Sequence, residues 1–232
     1  ITMPFYYYDP TYIILLPAIL FAFFAQAKVN SAYSRYSRVR NRKNLTGAQA
    51  ARMILDANGL SDVPIEITRG KLSDHYDPAK KVMRLSQEVY STPSIASVSI
   101  AAHESGHAIQ KSKNYAPLLI RNAIVPLVNA ASFLAWPLLV IGLVIGSQTG
   151  NLIFNIGVLF FLGVIVFHTI TLPVEFNASS RAIQQLTALG IVFPEETAGA
   201  KKVLSAAAMT YVAALAMAVA NLLRILALRR DD

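Results

Sequence analysis

Residues 101–110 read AAHESGHAIQ, with His103, Glu104 and His107 in H-E-x-x-H spacing inside an apolar segment patterned as a helix. Residues i and i+4 of an α-helix share a face, so the two imidazoles converge while Glu104 stands beside them. That is two thirds of a catalytic zinc site plus a general base, because such a site keeps three protein ligands and one open position. The helix is expected to open with Thr92 as N-cap and Pro93 in its first turn. It should run to about Ser112 and bury Ile95, Val98, Ala102 and Ile109, so that packing holds the ligands rigid.

The rest of the chain must then supply a third ligand. Besides His103 and His107, the four histidines include only His75 and His168. The extended motif H-E-x-x-H-x-x-G-x-x-H fails, since Gln110 and Lys113 occupy its Gly and last His positions, which excludes a metzincin. A carboxylate is the natural alternative, as in His₂Glu sites. Glu175, in LPVEFNASSRA, follows an apolar run on what reads as a continuing helix and is the favoured ligand. Asp74, Asp77 and Glu88 stay open, because they lie close before the H-E-x-x-H helix.

Composition sets the surroundings. Charged residues make up 15% of the 232 and hydrophobic residues 54%, and mean hydropathy is +0.45; soluble domains carry about 25% charged residues. Four apolar runs, Thr11–Ala27 together with the tyrosines before it, Ile124–Gly146, Asn151–Leu172 and Ala206–Leu228, are long enough to cross a hydrocarbon core of about 30 Å. Tyr6, Tyr7 and Tyr8 read as an interfacial belt before the first run. Ala25-Gln26-Ala27 resembles a signal-peptide cleavage site, but the basic segment that should precede it is missing. The sequence SQTG between the second and third runs makes them an antiparallel hairpin, and Trp136-Pro137 is a kink signal. Arg224, inside the last run, is placed near an end where it can snorkel.

The net charge of +8 is concentrated after the first run. Lys28, Arg35, Arg38, Arg40, Arg42, Lys43 and Arg52 occur there with no acidic residue among them. In a membrane protein this marks a cytoplasmic segment, not a nucleic-acid surface. One crossing out and one back, through residues 124–172, then return Glu175 to the side that carries His103 and His107. The lack of cysteine excludes Cys-ligated zinc, disulfides and thiol catalysis within these residues. Between the first two runs, Thr46 should cap a helix over residues 47–58. Ile65, Ile67, Val82 and Leu85, around the turn Asp77-Pro78, read as a small β-hairpin that could align an extended peptide.

The expected fold is therefore mainly α: a polytopic membrane protein with about four transmembrane helices and a small α+β zinc-binding domain between the first and second. The segments are 1–27, the N-terminal segment and first span; 28–123, the metallopeptidase-like domain; 124–172, the transmembrane hairpin; 173–205, the Glu-ligand helix and loop; and 206–232, the last span.

AAHESGHAIQ, LPVEFNAS and the upstream SDHYDPAKKVMRLS together resemble the YugP-like membrane zinc metallopeptidases of bacteria, with the likeness running through nearly the whole chain. The E-x-x-A segment is more distantly similar to the glutamate-ligand helix of the HtpX-like membrane gluzincins. In those families an Asp four residues after the Glu ligand orients a zinc-bound histidine; here the position is Ser179, a weaker orienter.

The expected activity is a membrane-bound, zinc-dependent endopeptidase of the bacterial cell membrane, with its site on the cytoplasmic face. Zn²⁺ would be held by His103, His107 and Glu175, and Glu104 would be the general base. Its partners would be the bilayer and a membrane-associated polypeptide substrate, with no nucleic acid. His75 could stabilise an oxyanion or serve as a structural histidine, and His168, ionisable within a span, could act in function or only bond within the bundle. The rival is a zinc-binding membrane scaffold without proteolysis, which would have no need of a base at Glu104.

Overall fold

The computed structural model describes residues 10–229; Tyr6, Tyr7, Tyr8 and Arg230 lie outside them. The chain is mainly helical, with a 3₁₀ turn Pro10–Leu15 leading into α1 (Leu16–Tyr36), then α2 (Gly47–Ala57), β1 (Ile65–Thr68), β2 (His75–Asp77), β3 (Val82–Ser86) and α3 (Gln87–Ser91). α4 (Ile95–Ser112), α5 (Ala116–Ile145), α6 (Gln148–Ala188) and α7 (Pro194–Leu228) complete it. Among the described residues, four helical segments are long and apolar enough to cross a membrane: Pro10–Tyr36, α5, α6 and α7.

These helices overrun the apolar runs that mark them. α6 has 41 residues, about 60 Å at 1.5 Å per residue, twice a hydrocarbon core. It passes Pro173 without a break, so Glu175 stands on the same helix as the third apolar run. α7 likewise begins at Pro194, well before its apolar part, with Pro in the first turn where no backbone donor is lost. Gly190, at φ +57°, makes the left-handed turn between α6 and α7.

Two local expectations are corrected. The sheet has three strands, not a two-stranded hairpin: β2 pairs antiparallel with β3 across the Asp77-Pro78 turn, but β1 lies on the other side of β3 and runs parallel to it. β3 takes the centre because four of its five residues are buried, whereas β1 buries none and suits an edge. The N-cap of α4 is Ser94 instead of Thr92; its Oγ accepts the Ser97 N–H at 3.0 Å. Ser94 is held extended because Pro93 C=O accepts from Asn41 N–H and Ile95 N–H donates to Val39 C=O. By contrast, α2 starts at the expected cap. Thr46 Oγ1 accepts the Gln49 N–H and Gln49 Oε1 accepts the Thr46 N–H, a reciprocal capping box.

The chain forms two compact units. One comprises Ala25–Ala123 and Ile170–Tyr211. It contains the sheet and α2 to α4, and its core joins Ile54, Val98, Ala102 and Ile109 to Ala182, Leu186 and Leu204. The other comprises, among the described residues, 10–24, Ile124–Thr169 and 212–229. Its core is Ala135, Leu139, Phe154, Phe161 and Ile225, and a Cβ at Gly142 would meet Phe154 N at 2.6 Å, the close helix contact that small residues permit. Arg224 stacks over Tyr12, 3.8 Å from its ring, and Arg229 bonds Asn155 Oδ1 at 2.6 Å.

Candidate metal centre

The site begins with a close crossing of α4 and α6. A Cβ at Gly106 would meet the Ala178 carbonyl oxygen at 2.6 Å. Only glycine lets the backbones approach this far, and the approach carries Glu175 to His103 and His107.

His103 Nε2 lies 3.2 Å from Glu175 Oε2, His107 Nε2 lies 3.2 Å from His103 Nε2, and His107 Nε2 lies 3.5 Å from Glu175 Oε2. Four ligands held tetrahedrally at the 2.0–2.1 Å of zinc bonds are about 3.3 Å apart. The donor triangle therefore has the edge lengths that a zinc ion requires. Among the described residues, these three form the group of His and carboxylate side chains able to hold a metal.

Hydrogen bonds behind the donors fix their direction. The Gln110 amide nitrogen donates to Val174 C=O at 2.8 Å and to Asn177 Oδ1 at 3.0 Å, so its carbonyl oxygen must be the partner of His107 Nδ1 at 3.0 Å. His107 Nδ1 consequently carries a proton, and in the neutral ring Nε2 presents a bare lone pair to the centre. Ser179 Oγ lies 3.2 Å from His103 Nδ1. The serine thus reaches the ring that a carboxylate addresses in the similar families. Arg121 Nη1 is 3.6 Å from Glu175 Oε1, on the oxygen turned away from the histidines.

Glu104 is buried beside the triangle, and its Oε2 accepts the Tyr76 N–H of β2 at 3.0 Å. Burial raises its pKa above the ordinary carboxylate value, against the lowering influence of His103 and His107. For His107, burial acts downward, but the bond to Glu175 and the charges of Glu104 and Glu175 outweigh it, and the pKa is raised. Asp74 is also raised by burial, in spite of the hydrogen bonds from Ser86 N–H and Oγ.

The other candidates are sorted by position. Asp74 is engaged with Ser86, and Asp77 accepts from Ala79 and Lys80 N–H in the β2–β3 turn. His75 is exposed, with Nδ1 2.8 Å from Ser73 C=O, and lines the cavity in front of the triangle. His168 is outside the donor group, and its ring meets the Phe167 ring at 5.8 Å. That cavity measures about 250 Å³ and also exposes Arg121, Asn122 and Tyr211. A groove of about 430 Å³ shares Asp74, His103, Glu104 and Tyr211 with it and continues along Val29, Ile100, Val203 and Leu204.

Sequence reading passed over Gln110, Asn177, Arg121 and Tyr211. Gln110 had a usable signal, being three residues after His107 on the same helix face. Tyr211 sits in an apolar run and Arg121 in a basic stretch, where neither stands out.

A buried carboxylate beside a His₂Glu triangle of zinc dimensions defines the class of zinc-dependent hydrolases. The chain belongs to the family described as "Putative neutral zinc metallopeptidase", which it matches over residues 11–230. It is a zinc metallopeptidase, and its cofactor is zinc. It is 48% identical over 209 residues to "Putative membrane protease YugP" of Bacillus subtilis (strain 168), covering 90% of this chain and 92% of that protein. With its four apolar helices, this supports membrane association. No solved structure matches the chain.

Proposed function

We propose that the protein is a membrane-bound endopeptidase in which His103, His107 and Glu175 hold the zinc and Glu104 is the general base. The observation that carries this is the donor triangle, with edges of 3.2, 3.2 and 3.5 Å. When bound, the ion supplies Lewis-acid activation of a water molecule and of the scissile carbonyl. Glu104 accepts the proton of the attacking water on its carboxylate and passes it to the leaving amine nitrogen. Its raised pKa suits both transfers, since a base nearer the working pH also returns the proton readily. The Tyr76 N–H holds the carboxylate in place, and Arg121 holds the far oxygen of Glu175. Gln110 and Ser179 orient the two imidazoles.

The joined cavity and groove admit an extended polypeptide past the donors, with Arg121 and Asn122 on one flank and Val29, Ile100, Val203 and Leu204 on the other. A membrane or membrane-proximal protein with apolar residues beside the scissile bond suits that asymmetry. The basic segment 28–52 and the turn between α5 and α6 support a site on the cytoplasmic face of the bacterial membrane.

Glu104→Gln tests the mechanism. Zinc content should stay at the wild-type level while cleavage of an unfolded or membrane-protein substrate falls by about 10²–10⁴-fold or more. Unchanged cleavage would sink the assignment. Glu175→Ala should lose zinc by elemental analysis; full occupancy would move the third ligand elsewhere.

A further inference from the structure

The residues of α1 and α7 that turn away from the metal groove form a second recess. Lys28, Ser31 and Arg35 of α1 and Lys202 and Ser205 of α7 line a cavity of about 260 Å³ whose apolar part is Ala32, Ala206 and Met209. Three cations and two hydroxyls converge there, and the lining contains no carboxylate. The acids at the start of α7 are committed elsewhere: Glu195 pairs with Arg42 at 3.6 Å, and Glu196 accepts from Arg42 and Phe193 N–H at 2.8 Å each. Among the described residues, neither Arg35 nor Lys202 forms an ion pair. Arg35 and Lys202 therefore offer charge to a counter-anion in the recess.

The location along the chain says which anion. On α1 the apolar run ends at Ala27 and the cations begin at Lys28; on α7 Lys201 and Lys202 directly precede the apolar run. Both helices change from polar to apolar at the level of the recess, where phospholipid headgroups meet a spanning helix. The volume lies below the 300–1,000 Å³ of ordinary small-molecule sites and suits a phosphate with its ester arms. Basic pockets between membrane helices take anionic headgroups for this reason.

We propose that this recess binds the phosphate of an anionic phospholipid, with Arg35 and Lys202 as its principal cations and Ser31 as a hydroxyl donor. The inference stands apart from the metal centre and does not depend on proteolysis.

The test uses the full chain in bicelles of phosphatidylcholine and phosphatidylglycerol, followed by delipidation and mass spectrometry of retained lipid. Wild type should retain phosphatidylglycerol. The double variant Arg35→Gln with Lys202→Gln should lose roughly thirtyfold in its apparent affinity. Arg35→Lys with Lys202→Arg should keep it, which separates lost charge from misfolding, and zinc content reports folding independently. Lys80→Gln with Lys81→Gln removes equal charge from the β2–β3 turn and should leave retention unchanged. Equal retention in the neutral double variant, or equal loss in the turn variant, would overturn the site. Displacement of the lipid by millimolar inorganic phosphate would assign the recess to a soluble phosphate and overturn the lipid source.

Discussion

Gln110 occupies the position where the longer metal motif has glycine, and here it performs work that the motif leaves to other residues. Both of its amide hydrogens are committed, to Val174 C=O and Asn177 Oδ1, so only its carbonyl can meet His107. Gln110→Leu should therefore free the His107 ring to turn and weaken zinc binding by about 10–100-fold, the usual effect of losing a bond behind a metal ligand. Competition with a chelator of known affinity measures this. Unchanged affinity would mean that packing alone fixes the ring. Asp74 carries a pH effect whose sign follows from burial. Its folded pKa is raised, so the folded state holds the proton to higher pH than the unfolded chain does. The stability it contributes is complete below the ordinary Asp value of about 3.9 and is lost as pH rises through the folded value. Asp74→Asn keeps an acceptor for the Ser86 N–H and removes the desolvated charge. The variant's Tm should match wild type at the acid end and exceed it at pH 7; a gap that does not grow with pH would refute the assignment.

At the scale of elements, the crossing of α4 and α6 decides whether the site exists. Gly106→Ala should gain helix propensity of up to about 1 kcal/mol. The new methyl, however, meets a backbone carbonyl at 2.6 Å, which no side-chain rotation relieves. The net effect should be a destabilisation of about 1–3 kcal/mol with loss of zinc, although no ligand is touched. A calorimetric Tm at or above wild type with full zinc would show that the helices can part freely. How much was legible beforehand follows the range of the interaction. His103, Glu104 and His107 are fixed by helical spacing, and the Thr46 cap by a contact three residues long, so both read directly. Glu175 could be named from ligand chemistry, but its approach depends on Gly106, whose role appears only when α6 lies against it. The place of β1 was hidden for a related reason. Alternation shows that a segment is a strand, whereas parallel pairing with β3 depends on which strand the core buries. The N-cap of α4 was misplaced because Val39 and Asn41, more than fifty residues away in sequence, hold Ser94 extended.

For the whole molecule, the distribution of cations decides which side of the membrane each loop faces. Crossing of the last helix carries Arg229 to the side opposite the basic segment 28–52, against the preference of cations for the cytoplasmic side. Arg229 donates to Asn155 Oδ1 at 2.6 Å and to Asn151 Oδ1 at 3.3 Å, just past the turn between α5 and α6, and its guanidinium lies 4.9 Å from the Phe154 ring. Arg224 stacks on Tyr12 near the start of the first span. Both cations are held by local partners, and these two weigh less on orientation than the seven basic residues of segment 28–52. A chain without cysteine lets this be measured one residue at a time. In intact bacterial cells, Thr149→Cys in the α5–α6 turn region should react with a membrane-impermeant maleimide, while Lys43→Cys and Lys80→Cys should react only after lysis; all three positions are exposed. The reverse pattern would place the zinc centre outside the cell and make extracytoplasmic proteins its substrates. Labelling of Thr149→Cys and Lys80→Cys from the same side would break the α5–α6 hairpin as a membrane crossing.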